Sequence, residues 1–289
     1  MKKLTDIHIR DPFILVDSGK YYLYGTRGEG CWDTCSGFDV YVSTDLINWS
    51  DPVSVFEKNE DFWADRQYWA PEVHRYHGRY YMFASFCGEG RHRGTQILVA
   101  DTPDGCFTPL TKTPITPADW DCLDGTLYIS KDGTPYIVFC HEWVQIGDGE
   151  IAAMRLTDDL CLPAAEPVIL FHGSEPVWAS GDGCGNYITD GPFLLRYSDR
   201  ELYMIWSSYC DSRYVLACAV SDSGEIDGKW RQCEDVLFSE DAGHGMLFYD
   251  KNNVLKLVVH APNNSPCERP KLIDVQISNG CLTAAEQKL

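Results

Sequence analysis

Five short motifs hold the side chains that could do chemistry: Arg10-Asp11-Pro12-Phe13, Trp69-Ala70-Pro71-Glu72, Leu123-Asp124-Gly125-Thr126, Thr189-Asp190-Gly191-Pro192 and Gly243-His244-Gly245-Met246. Three present an aspartate and one a histidine at matching places. Were these carboxylates to converge without an equal number of Lys or Arg, mutual repulsion and lost solvation would raise their pKa values, an expense that suggests function. Two carboxyl groups across a gap can hydrolyse a glycosidic bond: the protonated one gives its proton to the departing oxygen, while the ionised one activates water or attacks the sugar. A third can tune the pair. Flat aromatic surfaces suit sugars, and the nine Trp include Trp32, Trp63, Trp69, Trp120, Trp143 and Trp178 in loop-like or strand-end stretches. At least half of these are expected to serve packing.

The motifs recur because the chain around them does. Each leads into an apolar run, a polar turn and a second β-rich run; the turns begin at Asp17, Tyr76, Lys131, Ser198 and Lys251, separated by 59, 55, 67 and 53 residues. One fifth of 289 residues is about 58, so the repeat accounts for the whole length and 1–289 reads as one domain. A third apolar segment follows in every unit, such as Gln96-Ile97-Leu98-Val99-Ala100, and usually a shorter outer one. Three or four strands per unit at this spacing predict an all-β, five-bladed β-propeller, with helix confined to short turns. A large sandwich or a two-domain all-β chain would also alternate strands and Gly turns, but neither explains the near-constant spacing. In a propeller the first strand of each blade lines the channel, so the five motifs meet at one mouth.

Composition narrows the partners. A formal charge of −19 disfavours nucleic acid and anionic lipid surfaces. The longest apolar stretches fall far below the roughly 18 residues of a membrane span. Met1-Lys2-Lys3 is followed by no apolar stretch of the kind an export signal carries, which leads to the expectation of a cytoplasmic protein. Thirteen Cys, an odd number lying mostly in apolar segments, read as free buried thiols rather than disulfides.

Several signals fail on their own chemistry. His141-Glu142-Trp143 lacks the second His of a zinc-protease helix, and Asp119 to Gly125 puts Leu123 where a calcium loop needs a ligand. Cys31 and Cys35 have no partner pair at zinc-finger spacing. No nucleophile elbow, Walker loop or dinucleotide fingerprint is present, which removes support for acyl and phosphoryl transfer.

Taken together and in order, Arg-Asp-Pro-Phe at 10–13, Trp-Ala-Pro-Glu-Val-His at 69–74, Leu-Asp-Gly-Thr-Leu-Tyr at 123–128, Asp-Gly-Pro-Phe at 190–193 and Gly-His-Gly-Met at 243–246 resemble glycoside hydrolase family 43. The resemblance runs the full length. It implies a five-bladed propeller acting on arabinose- or xylose-containing glycans with inversion at the anomeric carbon. Asp11 then matches the general base, Asp124 the residue that orients the site and modulates the acid, and Asp190 the general acid. The family usually has Glu-Gly-Pro where this chain has Asp190-Gly191-Pro192. Asp is one methylene shorter, and a displacement of about 1 Å can cost about 100-fold in rate, so Glu175 is the first alternative acid and Glu142 a second. The resemblance gives His244 a calcium ion or a water cluster to hold, against the simpler role of a hydrogen-bonded wall residue; no cofactor is otherwise required, and a structural calcium would offset carboxylate repulsion. Trp69, Glu72, Arg10 and Trp143 are expected to contact the sugar.

The expected activity is that of an inverting exo-α-L-arabinofuranosidase on short arabinose-containing oligosaccharides. β-Xylosidase and endo-arabinanase are alternatives within the family. A carbohydrate-binding propeller weakened in catalysis, or one that docks proteins, are alternatives outside it.

Overall fold

The computed structural model describes residues 1–284. Twenty strands form five antiparallel four-stranded sheets, each built from consecutive strands in chain order. Blade I holds β1 (Ile9–Asp17), β2 (Lys20–Arg27), β3 (Gly37–Ser43) and β4 (Val53–Glu57); blade II holds β5 (Arg66–Tyr76), β6 (Arg79–Cys87), β7 (Gly94–Ala100) and β8 (Thr108–Pro109). Blade III comprises β9 (Cys122–Ile129), β10 (Pro135–His141), β11 (Glu150–Arg155) and β12 (Val168–His172). Blade IV comprises β13 (Asp190–Ser198), β14 (Glu201–Cys210), β15 (Arg213–Ser221) and β16 (Trp230–Gln232). Blade V is β17 (Gly243–Tyr249), β18 (Leu255–Ala261), β19 (Arg269–Ser278) and β20 (Cys281–Ala284). Helix is limited to short turns, among them the four-residue α1 (Trp143–Ile146).

β-Branched and aromatic runs make the inner strands, and their apolar faces bury against neighbouring blades. Phe38, Phe56, Tyr68 and Phe86 interlock between blades I and II, and Phe171, Trp206 and Trp230 between III and IV. No strand is exchanged between the chain's two ends among the described residues. Side chains close the ring: Arg10 meets Glu268 at 2.5 Å, and the Lys251 ammonium donates to the carbonyls of Gly19 and Thr44 at 2.9 and 2.5 Å.

All five channel-lining strands carry the same irregularity near their start. In β1, Arg10 pairs with Thr26 and Phe13 with Tyr24, so Asp11 and Pro12 oppose one residue. The same two-against-one step occurs at Ala70-Pro71, Asp124-Gly125, Gly191-Pro192 and His244-Gly245. The first residue of each bulge is left-handed: φ is 50° at Asp11, 48° at Ala70, 57° at Asp124, 53° at Gly191 and 42° at His244. For a non-glycine residue this conformation costs on the order of 1–3 kcal/mol, and it re-aims the side chain out of the pleat toward the mouth.

The bulge register corrects one expectation. Asp11, Asp124 and His244 are equivalent, but Asp190 stands one residue earlier, at the paired position filled by Arg10, Trp69, Leu123 and Gly243 in the other blades. Gly191 takes the left-handed place, where a Cβ would lie 2.8 Å from the His244 ring.

The free-thiol expectation also needs correction. Cys233 and Cys281 form a disulfide that joins the segment after β16 to β20, closing 48 residues of chain with Cα atoms 6.2 Å apart. The other eleven cysteines are free, six of them buried.

Candidate active site

The bulges open onto a cavity of about 1180 Å³. Asp11, Asp124, Asp190 and His244 line it, as do Arg10, Trp69 and Trp143. Glu72 and Glu175 do not. Glu72, the residue that follows its bulge, turns its carboxylate to His74 at 3.1 Å, and exposed Glu175 accepts the His172 N–H at 3.0 Å. Sequence reasoning left out Tyr214, Arg93 and the His260 behind Asp11, and ranked Glu142 low; all four lie on, or just beyond, second and third strands.

Asp11 sits among donors and positive charge. Burial pushes its carboxyl up, but the charges of His244 and Arg10 and a 2.6 Å hydrogen bond from the Thr26 hydroxyl outweigh that, leaving its pKa lowered. Thr26 Oγ1 accepts the Ala70 N–H at 2.7 Å, so its proton is committed to Asp11. Burial drives His260 down to about 3, so its ring is neutral. Its Nδ1 accepts the Asp11 N–H at 3.2 Å, which puts the proton on Nε2, 3.2 Å from Asn263 Oδ1.

The opposite flank is anionic. Burial raises Asp190 to about 7, and the Asp124 charge adds to it. Burial likewise raises Asp124 to about 6, although its Oδ2 accepts the Gly191 N–H at 2.9 Å. Glu142, paired with Arg93, is pushed up to about 7, by burial first and then by Asp190 and Asp121 against the pull of Arg93. Between the flanks stands His244, whose Nδ1 is 3.4 Å from both Asp11 Oδ1 and Asp124 Oδ2. Burial lowers its pKa, but Asp124, Asp11, Asp190 and Glu72 together raise it, favouring the imidazolium. The site thus combines one carboxyl whose pKa is lowered with others whose pKa is raised, Asp190 to about 7, the division of labour that acid–base hydrolysis requires.

A calcium ion ligated directly by side chains does not fit. Among the described residues no group of three or more His, Cys, Asp or Glu side chains is arranged to hold one, and His244 directs one nitrogen at the Asp11 and Asp124 carboxylates.

A five-bladed propeller with bulged inner strands and an acidic, Trp-lined cavity defines the class of carbohydrate-active propellers. The chain belongs to glycosyl hydrolases family 43, whose family model matches residues 5–275. It is similar to a crystal structure of an endo-arabinase from Bacteroides thetaiotaomicron, with 42% identity and a TM-score of 0.90 over 96% of this chain and 98% of that one. An extracellular exo-α-(1→5)-L-arabinofuranosidase of Cellvibrio japonicus is 25% identical over 79% of this chain and 67% of its own length. An extracellular endo-α-(1→5)-L-arabinanase of Bacillus subtilis is 24% identical over 55% of this chain, a region spanning about half (52%) of that enzyme. The two enzymes are named as extracellular, which overturns the cytoplasmic expectation. Among the described residues no helix is long and apolar enough to cross a membrane.

Proposed function

We propose that this protein hydrolyses α-L-arabinofuranosyl bonds with inversion. Asp11 is the general base, Asp190 the general acid and Asp124 the modulator. In the step, the Asp190 proton passes to the glycosidic oxygen as the bond to the anomeric carbon breaks and its electron pair stays with that oxygen. A water attacks the opposite face, giving its proton to Asp11; Asp11 then releases that proton to solvent and solvent returns one to Asp190. Such a site needs a carboxyl separation of roughly 6.5–9.5 Å to admit the water, against about 5–5.5 Å for retention.

The observation that carries the reading is that Asp11 and Asp190 line one cavity in opposite surroundings, with Thr26, His244 and Arg10 at the first and the Asp124 carboxyl beside the second, which lower the one pKa and raise the other. Glu142 is the weaker acid candidate because its carboxylate is engaged by the Arg93 cation, whereas Asp190 faces a second carboxyl and a neutral phenol. Exo release of arabinose is the first reading. Internal cleavage of arabinan is the second, favoured by the 42% identity to a structure described as an endo-arabinase.

Digestion of linear α-1,5-arabinan, arabino-oligosaccharides and xylo-oligosaccharides, followed by anomer-resolved NMR, tests the proposal. Arabinose as the sole early product indicates exo action, and a ladder of oligomers indicates endo action. Retained configuration, turnover of xylo-oligosaccharides alone, or sugar binding without turnover would each refute it.

A further inference from the structure

Asp190 is a shortened acid, one methylene less than the Glu of the motif it resembles, and something must place its proton. One side-chain donor reaches it among the described residues: the Tyr214 hydroxyl, 2.9 Å from Oδ2. Tyr214, near the start of β15, is buried and clamped. Its ring lies nearly parallel to His260 (centroids 5.8 Å, 16°) and against Tyr209 at 5.4 Å. Its other edge fills the space above Gly243, where a Cβ would stand 2.4 Å from the ring.

Asp190 is the one hydrogen-bond partner of this phenol among the described residues, so the hydroxyl must donate to it or leave a buried donor unmade. Oδ2 is then occupied, and the acid's own proton resides on Oδ1. We propose that Tyr214 is the positioning residue of the acid: it holds Asp190 against the cavity wall and selects Oδ1 as the oxygen that delivers the proton. This inference rests on the reading of Asp190 as acid. The wall is shared, because His260, which packs on Tyr214, also accepts the Asp11 N–H. A rigid stack from base to acid offers a way for an aspartate to work where a longer carboxyl is usual.

The groups facing Asp190 are Asp11 from β1, Asp124 from β9, Cys140 and Glu142 from β10 and its end, Tyr209 from β14, Tyr214 from β15 and His244 from β17. Of these, burial and the surrounding carboxylates hold the Tyr214 phenol far above its ordinary range, so it remains a donor at every working pH. Its hydrogen bond favours the ionised carboxyl, and removing it raises the pKa of the acid.

The test compares Tyr214→Phe and Asp190→Asn on aryl α-L-arabinofuranosides of graded leaving-group pKa. Tyr214→Phe is expected to lower kcat roughly 10- to 100-fold on poorly activated substrates and less than about 3-fold on the dinitrophenyl substrate. It should also move the alkaline limb of kcat/KM to higher pH. Gly243→Ala, which displaces the ring but keeps the hydroxyl, should show the same selectivity for poor leaving groups. If Asp190→Asn falls equally on all substrates, the acid assignment fails. If Asp190→Asn is selective but Tyr214→Phe lowers all substrates alike, or leaves the alkaline limb unmoved, the positioning role is overturned.

Discussion

The cavity has two flanks built from similar residue types and held in opposite states. Where blades I and V meet, Asp11 is surrounded by Arg10, His244, the neutral His260 and a committed Thr26 donor, and it stays ionised. Where blades III and IV meet, Asp190 faces Asp124, Glu142 and the Tyr214 phenol, and it stays protonated to about 7. Burial raises both carboxyls, so the neighbouring charges decide their difference. An aspartate does not carry its role in its own chemistry; the sign of the charge packed around it assigns the role.

Substitutions that exchange or blur the two flanks test this contrast. The largest effect is expected from Asp11→Asn, which keeps the shape and the Thr26 contact but removes the proton acceptor. Turnover of arabino-oligosaccharides should fall by about 10³-fold or more with an unchanged circular dichroism spectrum. Activity within tenfold of wild type would place the base elsewhere. Next, Asp190→Asn should cost about 10²- to 10³-fold on unactivated arabinosides and far less on the dinitrophenyl substrate, because a leaving group that is already stable as an anion needs no proton.

The pH profile gives a smaller but sharper contrast. The proposed mechanism needs Asp11 ionised and Asp190 protonated, so it predicts that kcat/KM falls at acid pH below the ordinary aspartate range and at alkaline pH through about 7. Asp124→Asn removes an anion beside Asp190, so the acid should lose its proton earlier. The alkaline limb should shift down by roughly one pH unit in initial-rate titrations. An upward shift would mean that Asp124 does not act on the acid. The smallest effect should come from Trp32, half-exposed at the rim, under the Arg10 guanidinium and edge-on to Trp69. Trp32→Ala should raise KM about 3- to 10-fold and leave kcat within about twofold.

Much of this design is legible along the chain. Asp11, Asp124 and His244 stand out because each precedes a Pro or Gly in a repeated motif, and the bulge that aims them needs that following residue. In blade IV the same mark, Pro192, makes Gly191 the equivalent residue and Asp190 its predecessor. Glu72 belongs to such a motif too, yet it turns along the channel to His74. Glu175 follows β12 on the outside of blade III, although it is near Asp190 in sequence. Tyr214 and His260 left no comparable trace. They lie in β-rich runs whose composition reads as core, and nothing local separates a tyrosine that packs from one that also donates.

By itself the sequence determined the repeat, the number of blades and the identities of the residues at their heads. Strand periodicity, polar turns and the Pro or Gly of each bulge are local properties, written within a few residues. Only the tertiary structure decided which carboxyl has its pKa lowered and which raised, which oxygen of Asp190 the Tyr214 hydroxyl engages, and which outlying side chains join the site. Those outcomes depend on burial and on charges brought within a few ångströms from strands of different blades, and no stretch of chain contains that information.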